Sequence, residues 1–381
     1  MSMLRIAGLF VLSLVCAPCA LAATDLTISA TGPSTATCTA GVCSSNATSS
    51  VLTTADLQAA LAGGSVVVNA STGSGSGAGS IDWTDGTVDA GGHSLSLTAT
   101  TSITFDGTLT NLANLAFSST SLTGTGSADG TGAITGLGST AFSLTGTKAG
   151  TAGGISFSGF TAADTTTVTG AVYFDDSAKS SLGMTFASAA YVSGDCNITG
   201  IGGSFNVDTG VSSASGIQYS GFAFGIDHLV GAGTAATITG TGDMYTLDAA
   251  DSGHLSGNPM IWSGFPNISD ATGTLLFGPS GSASGNVTMA ELDYGTSTTV
   301  TVNLSGTGTT GIGGTTAGVS KVDNNPGNLN ITGTANGALD MIAPNVINST
   351  SLTFGNGATA ASVTGDYTQS GSLNLHGIST N

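Results

Sequence analysis

The sequence predicts an all-β solenoid, a right-handed parallel β-helix with one short capping helix near its N-terminus. Three observations carry that expectation. Glycine fills 60 of 381 positions, so residues that turn freely with φ > 0 break the chain into short runs. Between the glycines, apolar residues alternate with small polar ones at period two, as in Leu95/Leu97, Ile103/Phe105, Leu115/Phe117 and Phe205/Val207. A degenerate repeat recurs at irregular spacing, which suits stacked coils with variable loops better than a propeller with its period of ~40–50 residues.

The N-terminus has the three parts of a secretory signal. Arg5 supplies the charge, Ile6 to Val15 the apolar run, and Ala20-Leu21-Ala22 the small-residue cleavage site, so cleavage is expected after Ala22 or Ala23. The run is too short to span a bilayer, and no later segment approaches the ~20 apolar residues that a spanning helix requires. Cys16 follows Val15 and Cys19 follows Pro18; neither neighbour is the small residue of a lipid-attachment site. Residues 1–23 are therefore read as an export signal, 24–80 as an N-terminal cap region, and 81–381 as the β-helix.

In the cap region, Cys38 and Cys43 flank Thr-Ala-Gly-Val, and an exported chain can keep such a pair as a disulfide-closed loop. Zinc is disfavoured there, because the pair offers two ligands and no histidine is near. Cys196 reads as a small buried side chain. Thr53 to Ala62 is the one helix candidate: Thr53 has Asp56 three residues on, apolar residues follow at helical spacing, and Gly63-Gly64 stops it. A β run follows at Ser65–Asn69, then a flexible stretch from Thr72 to Gly79.

From Ile81 onward everything reads as strands and turns. An aromatic-Ser-Gly-Phe tetrad occurs at 157–160, 219–222 and 262–265, each preceded by an isoleucine and, earlier, by an alternating pair (Phe142/Leu144, Phe205/Val207, Tyr245/Leu247). A β-Thr-Gly ending recurs at Gly124, Gly136, Gly146, Gly170, Gly200, Gly240, Gly333 and Gly365, where glycine would turn the corners between strands. Coils of roughly 20–25 residues at the ~4.8 Å strand spacing give about 15 coils and a rod about 70–80 Å long.

Composition excludes several function classes. The net charge of −18 comes from 21 aspartates and Glu291, set against Arg5 and three lysines (Lys148, Lys179, Lys321). Such a surface repels nucleic acid and anionic lipid. Hydrophobic residues at 40% and charged ones at 7% separate the chain from a disordered acidic tail.

β-Helices also host polysaccharide hydrolases and lyases, so acid–base pairs matter. Asp175-Asp176 is the one adjacent acidic pair, and His93 lies in Gly-His-Ser. Paired carboxylates serve glycoside hydrolysis, yet a uronate-binding enzyme needs an Arg or Lys, and the chain after residue 23 has no arginine. His93, His228, His254 and His376 are isolated. No cofactor is expected; calcium is the nearest idea, since Gly240-Thr241-Gly242-Asp243 and Gly124 to Asp129 partly echo a calcium-binding repeat. A third class, ice binding, requires a regular outward Thr-x-Thr ladder, and no such repeat is visible.

The stretch from Ala36 to Thr110 resembles the N-terminal region of filamentous-haemagglutinin-like and autotransporter-like adhesins of Gram-negative bacteria. The resemblance rests on Ala36-Thr37-Cys38 to Cys43, Val51 to Leu61, Val66 to Asn69, Gly77 to Ile81, Leu95 to Ala99 and Ile103 to Gly107. Tyr219 to Phe222, Leu229 to Gly231 and Met289 to Tyr294 resemble the degenerate repeats of the same proteins. It implies a β-helical passenger displayed or released at the cell surface. The expected function is that of a secreted or surface-exposed adhesin-like protein, non-enzymatic, binding host or matrix glycans or proteins or copies of itself. The alternative is a carbohydrate-active β-helix enzyme.

Overall fold

The computed structural model describes residues 25–294 apart from 46, 71–77, 172, 195–196 and 221–227. Beyond 294 it describes strands at 299–303, 316–317, 321–323, 328–332, 340–348, 352–354, 362–369 and 373–375. The export signal, Cys16, Cys19, Cys196, His376 and most of the flexible stretch lie outside the described residues. The rest is almost entirely short strands in long, mostly parallel ladders, a solenoid-like all-β fold.

From residue 81 to 138 each coil contributes to three sheets, while the earlier strands join two of them. Sheet A runs, in spatial order, Ser49–Thr53, Asp25–Ser29, Ile81–Trp83, Ser102–Phe105 and Ser121–Thr123, all parallel. The first strand in sequence is thus second in space, flanked by a later strand on each side. Sheet B begins with Thr87–Asp89, Thr108–Leu112 and Ser127–Gly130. Sheet C begins with Thr37–Thr39 and Val42–Ser44, then Val66–Asn69, Leu95–Thr98, Leu115–Ser118 and Ala133–Gly138. Alternation explains the register. A one-residue slip turns every apolar side chain outward, so Leu26 pairs with Ile81 and Ile81 with Ile103, all of them buried.

Aromatic rings line the interior along the rod. Trp83 meets Phe105 at 5.0 Å, Phe105 meets Phe117 at 6.5 Å, and Phe117 meets Phe157 at 6.3 Å, all edge to face. Each such pair adds about 0.5–1.5 kcal/mol beyond its buried area.

The architecture changes at residue 142. Sheet A has no described strand after Thr123, and the chain continues in sheets B and C, each interrupted by three-stranded antiparallel inserts. The inserts alternate between the sheets: Phe142–Gly146/Ala149–Ala152/Ile155–Ser158 in B, then Tyr173–Asp175/Ser180–Ser181/Met184–Thr185 in C. Ser204–Asn206/Val211–Ser212/Gln218–Ser220 follows in B, and Met244–Ala249/Ser252–Leu255/Ile261–Ser263 in C. In each insert the last strand joins the earlier coil and the first strand joins the later one. Phe157 pairs with Ala128, for example, and Phe142 with Val168. Both sheets therefore stay continuous across the reversals.

The first turn of every insert contains a left-handed residue: Lys148 (φ 52), Lys179 (φ 45), Gly210 (φ 70) and Asp251 (φ 53). The inserts lengthen some coils. Ser102 pairs with Ser121, nineteen residues on, whereas Ser204 pairs with Thr237, thirty-three on. Coils without an insert also depart from the expected 20–25, since Val66 pairs with Leu95, twenty-nine residues on.

The Thr-Gly corners divide. Gly124, Gly136, Gly170 and Gly200 have positive φ, while Gly146 and Gly240 do not. Gly136 has φ 80, and a Cβ there would collide with the Phe117 carbonyl oxygen of the preceding coil.

One helix, α1 (Thr54–Leu61), follows the edge strand Ser49–Thr53 of sheet A. Thr53 caps it: its hydroxyl accepts from Asp56 N at 3.1 Å and donates to Asp56 Oδ2 at 2.7 Å. Leu57 and Leu61 are buried. Cys38 and Cys43 face each other across the hairpin of Thr37–Thr39 and Val42–Ser44, joined by a disulfide with Cα atoms 4.0 Å apart. Ala40 (φ 50) and Gly41 (φ 79) make its two-residue turn.

Candidate functional surface

The acidic pair is divided by the pleat. Successive residues of a strand face opposite ways, and Asp175 and Asp176 end up in different surroundings. Asp175 Oδ1 accepts from Ser177 Oγ at 2.7 Å and Ala178 N at 3.1 Å, closing an exposed turn. Asp176 is fully buried and accepts from Ser212 Oγ at 2.8 Å, Tyr219 OH at 2.6 Å and Ser215 Oγ. This is an internal clamp across an insert. His93 lies in a turn before Leu95–Thr98, six strand positions from Tyr173–Asp175 in sheet C and so about 29 Å away.

The two calcium-like stretches also resolve into turn clamps. Asp270 is buried, and its carboxylate accepts from Gly242 N at 3.0 Å, Asp243 N at 2.9 Å, Thr272 N at 3.0 Å and Thr272 Oγ1 at 3.1 Å. Tyr245 OH lies 3.3 Å from both Asp270 and Asp243, bridging the two carboxylates. Burial, with the nearby Asp208 and Asp270 charges, pushes the Asp243 carboxyl up. Burial pushes Asp270 up too, but the bonds from Asp243, Gly242 and Thr272 outweigh it and hold its carboxyl below the usual range. In the other stretch, Thr125 donates from N and Oγ1 to Asp106 at 2.7 and 2.8 Å, and Asp129 accepts from Ser158 at 3.0 Å. These oxygens serve N–H and O–H donors. Among the described residues, no three His, Cys, Asp or Glu side chains gather as a metal site.

The informative surfaces are the outer faces of sheets B and C, and they differ. On sheet B one file runs Thr87, Thr108, Ser127, Ser156, Thr151, Ser143, Thr169, Ser193, Ser220. Every one is a hydroxyl residue, half-buried or exposed, and the file extends about 38 Å at ~4.8 Å per strand. This is a single mixed file of hydroxyls rather than the regular Thr-x-Thr ladder that ice binding requires, since Asp89 and Asp129 stand two residues on from Thr87 and Ser127. The file is built by register, mixing Ser with Thr and crossing a strand reversal, so no linear motif announces it.

Sheet C presents larger side chains. Tyr173 is 57% exposed, Ile261 46%, Met244 47%, Val42 42% and Val67 37%; all lie on its strands, against Val211 alone on sheet B among the described residues. The register sets Tyr173, Asn197, His228, Ile261 and His254 side by side on five successive strands. His228 Nε2 lies 2.9 Å from Ser263 Oγ, and His254 Nδ1 lies 2.7 Å from Asp248 Oδ2. His228 and His254, isolated in sequence, are thus near neighbours on one face.

Fold and surface together define the class: a solenoid-like all-β rod with two chemically distinct outer faces. In comparisons with known proteins, no family model, curated protein or solved structure matches the chain.

Proposed function

We propose that the chain is an exported, adhesin-like protein of a Gram-negative cell surface, non-enzymatic, that binds through the outer faces of its rod. In this reading the first 22 or 23 residues direct export, the coils wind right-handed, and α1 caps the open edge of sheet B, beside Thr87–Asp89. Right-handed crossovers are the rule between parallel strands, and an uncovered edge strand would template aggregation. The partners are glycans or proteins of a host or matrix, or further copies of the rod. The resemblance to haemagglutinin-like and autotransporter-like passengers belongs to this proposal.

One observation carries it: two sheet faces run continuously along the molecule, and their rows are set by register rather than converging on a pocket. A rod of this kind offers repeated contacts along its length, where avidity exceeds any single site. The test is adhesion of beads coated with the protein lacking residues 1–23 to glycan-coated and protein-coated surfaces. Retention on at least one surface above bare beads is expected. Turnover of an acidic polysaccharide that disappears in Asp175→Ala would instead establish the enzyme reading. N-terminal sequencing of the exported protein tests the cleavage site, with Ala23 or Thr24 expected as the first residue.

A further inference from the structure

Large exposed side chains are concentrated on one sheet of a molecule whose other long sheet shows an unbroken file of hydroxyls. Within that concentration, Tyr173, Asn197, His228, Ile261 and His254 form a single row across five strands. At ~4.8 Å per strand the row is about 19 Å long. It alternates in character: an aromatic ring, an amide, an imidazole, an aliphatic side chain, a second imidazole. Polar members are held in place by neighbours on the same face, His228 by Ser263 and His254 by Asp248. Ordering them beforehand lowers the entropy lost on binding.

We propose that this row on sheet C is a docking track for one linear glycan chain built of neutral or amino sugars. The proposal rests on the adhesive reading and supplies its ligand class. A pyranose presents an apolar C–H face and a polar hydroxyl rim, and the row presents matching surfaces in turn: ring and aliphatic groups for the faces, amide and imidazoles for the rims. The width of the row itself fits a single extended chain. A file one residue wide is far smaller than the about 800 Å² per partner of a stable protein interface. Charge decides among glycans. Asp175 and Asp248 flank the row, and the ammonium of Lys179, in the same insert as Tyr173, donates to the Ala189 carbonyl at 3.2 Å. A uronate chain would meet two carboxylates along the row, while the one lysine of that insert points its ammonium at Ala189.

The experiment measures binding of the protein lacking residues 1–23 to three soluble probes by calorimetry: N-acetylchitohexaose, chitosan hexamer and oligogalacturonate. Binding to at least one of the first two and none to the third is expected. Tyr173→Ala and His228→Ala should each weaken Kd about tenfold. Thr151→Ala and Ser156→Ala, on the sheet B file, should leave it unchanged. All four side chains face outward, and the melting midpoint of each variant checks that the rod remains folded. Unchanged affinity in both sheet C variants, or equal binding of oligogalacturonate, overturns the track. If no probe binds but the coated beads still adhere to a surface stripped of glycans, the track fails and the adhesive reading stands. If the beads adhere to nothing, the adhesive reading fails with it.

Discussion

At the scale of single residues, this fold depends on close approach between coils. Gly136 has both positive φ and no room for a side chain, because the Phe117 carbonyl of the previous coil occupies the place of its Cβ. Gly136→Ala should therefore destabilise the rod by about 1–3 kcal/mol, read as a fall in the urea midpoint. Gly91, also at positive φ (59), has open space around it and should tolerate alanine better. Asp176 is a second such point. Three hydroxyls donate to it inside the core, so Asp176→Ala strands them without an acceptor, at about 1–3 kcal/mol for each buried one. Asp176→Asn keeps an acceptor and should cost less by the same urea measurement.

At the scale of elements, the alternating inserts are the unit of construction, and the sequence tetrads are their visible part. Phe157, Tyr219 and Trp262 begin the three tetrads, and each sits on the last strand of an insert. Phe160 and Phe265, which end the first and third, are buried behind Gly159 (φ 78) and Gly264 (φ 71). The preceding pairs Phe142/Leu144, Phe205/Val207 and Tyr245/Leu247 begin the same inserts. The second insert in the chain carries no tetrad, because its last strand reads Met184-Thr185, with Phe186 buried after it. The burial pattern is kept while the letters change.

The clamp between the fourth insert in the chain and the next coil has a pH signature. Asp270, held low by its donors, stabilises the fold above the ordinary carboxylate pKa and loses that contribution as pH falls through its own lowered value. Asp243, raised chiefly by burial, acts in the opposite sense and relieves a penalty when it protonates first. Stability should rise slightly on mild acidification and fall below about pH 4. Asp270→Asn should flatten the acid limb, followed by thermal melts across the pH series.

At the scale of the molecule, sheet C passes through seventeen successive strands from Thr37–Thr39 to Val287–Asp293. Sixteen spacings of ~4.8 Å make about 77 Å. Small-angle scattering should therefore give a longest dimension of at least about 77 Å, with a pair-distance function skewed as for a rod. A compact globular profile would contradict the continuous ladder. Because each coil contacts mainly its neighbours, hydrogen exchange should show regions of differing protection along the rod rather than one global value.

Local chemistry alone determined much of this protein. Period-two alternation specified strands, Thr53 and Asp56 specified the start of the helix, and the Cys38–Cys43 spacing specified a small loop. All of these are contacts within a few residues. What only the tertiary structure decided is which strands become neighbours. Register brought Ser and Thr from nine strands into one file, set His228 beside Ile261 and His254, and sent Asp176 inward while Asp175 stayed outside. Those pairings join residues 19 to 33 positions apart in the coils and reverse direction within inserts, so no window of sequence contains them. The physical reason is that a parallel ladder is stabilised by stacking whole coils, and the side chains that meet on its outer face are selected by the burial of those on its inner one.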